Sequence, residues 1–186
     1  MGRRKLGAMK DWNVVITSYM RQQRRLLQEL AGLGEFQPSG FTSVILGKVP
    51  EVGEFLEALK NFWEKSPFLS EYLSGVVPIR TVFPFTVENL AERLKEELRA
   101  LGPEIGNKAF YVRLKRRGHK GEFSSQEVEQ ALDRFLNEEF CSQGQGCRVD
   151  FEAADVIVAV ETIHNQCGLG LVTREMKERY PFVKVK

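Results

Sequence analysis

The sequence predicts an α+β protein built from two successive units, residues 1–85 and residues 86–186. Three observations lead to this. The chain has 186 residues, 42% hydrophobic and 28% charged, enough to bury two small cores in an ordinary globular composition. Short runs rich in β-branched and aromatic residues alternate with stretches of helical period in both halves. Between the halves, Pro84-Phe85 precedes a helix start at Thr86 and marks a boundary.

In the first half, Trp12 to Tyr19 reads as a strand. Arg21 to Leu33 follows as a helix, with Leu26, Leu27 and Leu30 inward, Arg21, Arg24 and Arg25 outward, and Gly32 and Gly34 at its end. Phe36 to Gly40 turns into a second strand at Phe41–Leu46. Glu51 to Lys65 is a helix after Pro50, with a stripe of Phe55, Leu56, Leu59, Phe62 and Trp63 that reads as core. Val76 to Phe83, interrupted by Pro78, returns as a strand. With the Phe36–Gly40 region contributing a strand arm, the order is β-α-β-β-α-β, which folds as a ferredoxin-like layer of two helices on an antiparallel sheet.

The second half opens on a helix capped by Thr86, with Val87, Leu90, Ala91, Leu94, Leu98 and Leu101 at spacings of three and four. Gly102-Pro103 is expected to stop it. In Ala109–Arg117, Phe110, Val112 and Leu114 fall on one face of a strand, and Tyr111, Arg113, Lys115 and Arg117 on the other. Ser124 and Glu127 have capping-box spacing and open a helix that buries Val128, Leu132, Phe135 and Leu136. Asp155 to His164 is a strand, Cys167 to Val172 a second one after a short turn, and Thr173 to Tyr180 a final helix before Pro181. Strand, crossover helix, parallel strand and hairpin make a small α/β unit.

Charge is unevenly placed. The net charge is only +2, yet residues 1–25 and residues 108–120 each sum to +6 and leave −10 for the remainder. Such polarity steers anions. Residues 107–121 hold no acidic residue, and Tyr111 sits among Arg113, Lys115, Arg116 and Arg117. Gly118 breaks the strand, and His119 and Lys120 carry the positive run into a turn. Cations on a rigid strand beside a stackable ring suit a phosphodiester backbone with unpaired bases. In the competing reading the strand face is merely solvated, its cations paired to Asp155 and Glu161 on a neighbouring strand.

Other chemistry has weaker support. Gly168-Leu169-Gly170 lies within a strand and lacks the third glycine of a dinucleotide loop. Cys141, Cys147, His164 and Cys167 could in principle hold zinc for a metal-dependent enzyme, but their spacings are not those of common zinc modules. A Cys167–His164 nucleophile would lack an orienting carboxylate. No cofactor is expected. Three cysteines, no apolar run of membrane-spanning length, no secretory leader and no myristoylation signal lead us to expect a soluble, cytoplasmic protein.

The second half resembles a THUMP domain, an RNA-binding module of tRNA-modifying proteins. The resemblance is carried by Phe110–Arg117, by Asp155–Asn165 and by the run Asn165-Gln166-Cys167-Gly168-Leu169-Gly170-Leu171-Val172. The first half is similar to the ferredoxin-like domain that often precedes THUMP, and the whole is similar to stand-alone THUMP proteins that assist tRNA cytidine acetylation. The resemblance implies binding of tRNA near its acceptor stem and 3′ end, and presentation of it to a separate modifying enzyme. DNA and membranes are not expected partners. Arg113, Lys115, Arg116 and Arg117 would take the basic strand-and-turn role, while Gly168 and Gly170 would let RNA or a neighbouring strand approach the backbone. Tyr111 or His119 would stack unpaired bases, Lys120 would extend the patch, and Arg21, Arg24 and Arg25 would supply a second one. No methyltransferase, thiolation or acetyltransferase domain is recognisable, which favours an adaptor over an enzyme.

Overall fold

A computed structural model describes residues 8–141 and 146–186. Arg3, Arg4 and Lys5, counted in the basic segment 1–25, lie outside the described residues. The chain divides into two compact units, Met1–Ser74 and Gly75–Lys186.

The first unit runs β1 (Val14–Ser18), α1 (Gln23–Glu29), β2 (Glu35–Pro38), β3 (Val44–Lys48), α2 (Val52–Lys65) and α3 (Leu69–Tyr72). β4 (Leu73–Pro78) completes a sheet ordered β2-β3-β1-β4, with the division between the units falling inside it. This is the expected β-α-β-β-α-β succession with one short helix added. β3 pairs antiparallel with both β1 and β2. Trp12, Val14, Ile16, Leu26, Leu30, Ile45, Leu56 and Leu59 are buried. α2 begins where Glu51 accepts the Gly53 and Glu54 N–H groups, which satisfies two otherwise orphaned donors. α1 is shorter than expected. Arg21 adopts a left-handed φ of 66° and Gly32 one of 91°, so helical geometry is confined between them.

The second unit runs β5 (Thr81–Pro84), α4 (Leu90–Ile105), β6 (Ala109–Arg117), α5 (Ser125–Phe140), β7 (Arg148–Val149), β8 (Val156–Ile163), β9 (Gln166–Thr173) and α6 (Arg174–Arg179). Its sheet is ordered β5-β9-β8-β6-β7. β6 and β8 run parallel across the α5 crossover, and β8 and β9 form a hairpin, as the pattern predicts. Leu94 and Leu98 of α4, Phe110, Val112 and Leu114 of β6, Leu132 and Leu136 of α5, and Val156, Val158 and Val160 of β8 close one core.

Two expectations need correction. The single strand expected over Val76–Phe83 is two strands, and the boundary lies upstream of Pro84-Phe85. Thr81–Pro84 pairs antiparallel with β9, setting Val82 against Gly168, and so belongs to the second sheet. Gly102-Pro103 does not stop α4, which continues to Ile105 and ends at Gly106 with φ 50°. The extra turn buries Ile105 completely and seats the Phe140 ring against Gly102, where a Cβ would lie 2.2 Å from Cζ. That burial outweighs the one N–H that Pro103 cannot donate.

Candidate nucleic-acid interface

β6 is the element on which the basic residues sit. Phe110, Val112 and Leu114 are buried, which sends Tyr111, Arg113 and Lys115 to the opposite face. Lys115 is exposed and Arg113 keeps 43% of its side chain in solvent. The Arg113 guanidinium lies 5.7 Å from the centre of the Tyr111 ring, and Tyr111 in turn packs 5.4 Å from Phe151. Cation, phenol and phenyl thus form a short stack beside Lys115.

The outer edge of β6 is finished unusually. β7 pairs with Ala109 and Phe110 only. Beyond it, the Val112 N–H donates to Asp133 Oδ1 at 2.8 Å and the Leu114 N–H to Glu129 Oε1 at 2.6 Å. Both carboxylates come from the inner side of α5, held there by burial of Leu132, Phe135 and Leu136. They satisfy edge donors that would otherwise recruit another strand. Burial pushes the Asp133 carboxyl up to about 6, against the lowering effect of the Val112 N–H. Glu129 also lies 3.9 Å from Arg113.

The end of the strand is organised by ion pairing. Arg117 pairs with Glu161 of β8, and their side chains are only 10% and 5% exposed. Burial pushes the Glu161 carboxyl up, and the Arg117 guanidinium pulls it down. The Arg117 N–H donates to Thr162 Oγ1. Arg117 was expected to face RNA; it is instead closed off by a glutamate on the parallel strand. Of the two acids proposed as structural partners, Glu161 takes Arg117, whereas Asp155 pairs with Arg174 at 3.0 Å and accepts the Ala109 N–H.

The turn after β6 is pinned by His119. Its Nδ1 lies 3.0 Å from Glu122, and its Nε2 lies 2.9 Å from Asn165 Oδ1 and 3.2 Å from the His164 carbonyl. The hydrogen bond to Glu122 is the largest effect raising the imidazole pKa, with partial burial working against it. His119 is 17% exposed at its side chain and packs against Phe85 and Phe123. It positions the turn rather than offering an open stacking face. Arg116 donates to the His119 carbonyl at 2.6 Å and lies over the Phe123 ring, while Lys120 is exposed at the turn. Arg113 and Lys115 therefore face outward on β6 and Lys120 at the turn, whereas Arg116 has the parity of Leu114 and is half-buried against Phe123.

The two glycines serve the sheet. Gly168 is paired with Val82 on one side and Glu161 on the other. At Gly170 a Cβ would stand 2.1 Å from the Pro78 carbonyl oxygen. A neighbouring segment of the chain, not RNA, makes the close approach. In the first unit Arg21, Arg24 and Arg25 are exposed, and Arg25 lies 5.2 Å from the centre of the Tyr72 ring.

The zinc set does not assemble. Cys141 and Cys147 are joined as a disulfide, Cys167 is fully buried, and the described residues contain no group of three or more His, Cys, Asp or Glu that could hold a metal ion. Burial pushes the Cys167 thiol far up, so it is no nucleophile. The cytoplasmic setting expected from the sequence, being reducing, would not favour this disulfide. No helix among the described residues is long and apolar enough to cross a membrane.

Residues 87–172 match the THUMP domain family model, so the chain contains a THUMP domain. The match runs from just before α4 through β9 and includes all of β6. No curated protein matches the chain. Among solved structures, TrmN from Thermus thermophilus is similar with a TM-score of 0.65 at 23% identity, over 87% of this chain and 45% of that one. PH1313 from Pyrococcus horikoshii has a TM-score of 0.53 at 14% identity, over 86% and 54%. A 4-thiouridine synthetase, solved with RNA and bound ATP, has a TM-score of 0.51 at 14% identity, over 87% and 41%. At these identities the likeness establishes the fold. The chain spans about half the length of these proteins. A THUMP domain within a fold shared with these structures is the class that sequence and scaffold define, and the domain supports RNA binding.

Proposed function

We propose that this protein is an RNA-binding adaptor that holds tRNA by its acceptor stem and 3′ end and presents it to a separate modifying enzyme, such as a cytidine acetyltransferase. The observation that carries the reading is the outward pair Arg113 and Lys115, with Lys120 at the turn that follows, mounted on a strand and turn within the THUMP domain. The strand is fixed on both flanks, by β8 on one side and by α5 carboxylates on the other, so its cations are held ready with little ordering cost on binding. Affinity would come mainly from phosphate neutralisation. The first unit would act as a ferredoxin-like companion domain, with Arg21, Arg24 and Arg25 as further phosphate contacts.

An enzyme reading draws on the 4-thiouridine synthetase, of which this chain covers 41%. The adaptor reading is preferred because the outward residues of β6 are cations and rings, with no nucleophile among them. A gel shift of tRNA against duplex DNA of similar length tests it. At moderate salt tRNA should bind at least tenfold more tightly. Equal affinity for the two, or no complex with tRNA, would contradict the proposal.

A further inference from the structure

Among the described residues four large hydrophobic side chains are exposed, and three of them, Tyr19 at 46%, Met20 at 77% and Phe68 at 60%, belong to the first unit. The fold gathers them at one end of that unit's sheet. β1 ends at Ser18, and the Tyr19 N–H donates to the Tyr72 carbonyl at 3.0 Å, which ties this end of β1 to α3. Phe68 stands one helical turn before Tyr72, at the start of the same short helix. The Tyr19 carbonyl accepts the Gln22 N–H at 3.1 Å and closes a four-residue turn, with Met20 and Arg21 exposed at its centre. Arg21 holds the third position of that turn with φ 66°, a place that favours glycine or asparagine. A long charged side chain set there against its backbone preference points to a use for that side chain. Arg24 and Arg25 follow, both exposed, and Tyr19–Gln28 contains no acid; Glu29 and Glu71 are the acids of α1 and α3.

Arginine suits phosphate and carboxylate alike, so these cations do not choose between RNA and protein. The apolar side chains do. Phosphate neutralisation has no use for a methionine that is almost wholly in solvent. Aromatic residues, methionine and arginine together are the composition of protein–protein contact centres, with methionine as the adaptable member. A second copy of this chain is a poor occupant, because a two-fold contact would bring Arg21, Arg24 and Arg25 of one copy against the same residues of the other. Charge complementarity calls instead for a partner with acidic side chains around an apolar anchor. We propose that Tyr19, Met20 and Phe68, bordered by Arg21 and Arg24, are a docking surface for a different protein that presents an acidic, apolar segment. Under the adaptor reading above, on which this rests, that protein is the modifying enzyme.

The test places a photoreactive side chain in the full-length protein, as Met20→p-benzoylphenylalanine and separately Phe68→p-benzoylphenylalanine, and irradiates it in the cells from which the sequence comes. Mass spectrometry then identifies the adducts. Both variants should cross-link to one and the same foreign polypeptide, at a segment carrying Asp or Glu beside apolar residues. That polypeptide, once purified, should bind wild type, and the double variant Met20→Ala/Phe68→Ala should weaken the complex at least ~10-fold. The double variant should keep the wild-type melting temperature and tRNA affinity, since both side chains are exposed. Adducts only with RNA, adducts only with this chain itself, no adduct, a contact segment without acids, or a complex indifferent to the double variant would each overturn the docking surface. A gel shift with tRNA separates the two readings. If tRNA binds and the foreign adduct is missing, the docking surface falls and RNA binding stands; if the adduct forms and wild type binds no tRNA, the surface stands and the RNA reading falls.

Discussion

Removing Arg117 separates a structural cation from a functional one. The Arg117–Glu161 pair has side chains 10% and 5% exposed, so Arg117→Met leaves a buried carboxylate without its guanidinium. Breaking a buried pair at one end costs about 3–5 kcal/mol. For a unit of this size, 1 kcal/mol moves the melting temperature by about 4 °C, which places the expected loss near ~12 °C or more. Replacing both partners, as Arg117→Met with Glu161→Leu, removes the charge imbalance and should recover most of that loss. Thermal and urea denaturation followed by circular dichroism give the stabilities, and anisotropy with tRNA at 10 °C gives the affinity of the folded protein. Affinity of Arg117→Met should stay within about twofold of wild type, because its side chain is only 10% exposed and its guanidinium is paired with Glu161. Wild-type stability combined with a large loss of tRNA affinity would show that Arg117 contacts RNA and that the buried pair has been misassigned.

Other perturbations follow from the same geometry. Gly170→Ala drives a methyl group into the Pro78 carbonyl and should destabilise by about 3 kcal/mol, measured by urea denaturation, with no selective effect on RNA affinity. Asp133 carries a carboxyl pushed up by burial from the ordinary aspartate value of 3.8 to about 6. Folding therefore favours its protonated form: the contribution is fully present below pH ~4 and is lost as pH rises through about 6, a span worth on the order of 3 kcal/mol. Asp133→Asn, which can still accept the Val112 N–H, should flatten the stability–pH profile between pH 4 and 6; an unchanged profile would exclude Asp133 as its source. His119 has its pKa raised above the ordinary histidine value of 6.5 chiefly by the hydrogen bond to Glu122. Its stabilisation of the turn is complete below that value and fades as pH rises through the raised one. The melting-temperature gap between wild type and His119→Gln should accordingly be widest at pH 6 and narrow by pH 9.

Much of the scaffold is legible in the chain. Alternation in Phe110–Leu114 identifies the buried face of β6, the Ser124–Glu127 spacing marks the start of α5, and the parallel pairing of β6 with β8 follows from the intervening helix. What is not legible depends on distant partners. Arg113 and Arg117 look alike by periodicity; only the register that sets Lys115 beside Glu161 decides that Arg117 is closed off and Arg113 is not. Pro78 reads as a flaw in one strand because nothing local reveals that Thr81–Pro84 will join β9. Phe151 carries no periodic signal, lying between Asp150 and Glu152 in a bend, and gains meaning only when Tyr111 is found beside it. Asp133 and Glu129 sit four apart on α5, which reads as a solvated acidic face until the uncovered edge of β6 is seen to need acceptors.

The claim that β6 and its turn neutralise RNA phosphates is tested most directly by the salt dependence of tRNA affinity. Lys115 and Lys120 are exposed and can be changed without disturbing the Arg117–Glu161 pair or the His119 network. The slope of log affinity against log salt should fall by about 1.5 for Lys115→Ala/Lys120→Ala relative to wild type, with an unchanged melting temperature. A double variant that binds tRNA with the wild-type slope and affinity would place the RNA on some other face of the protein.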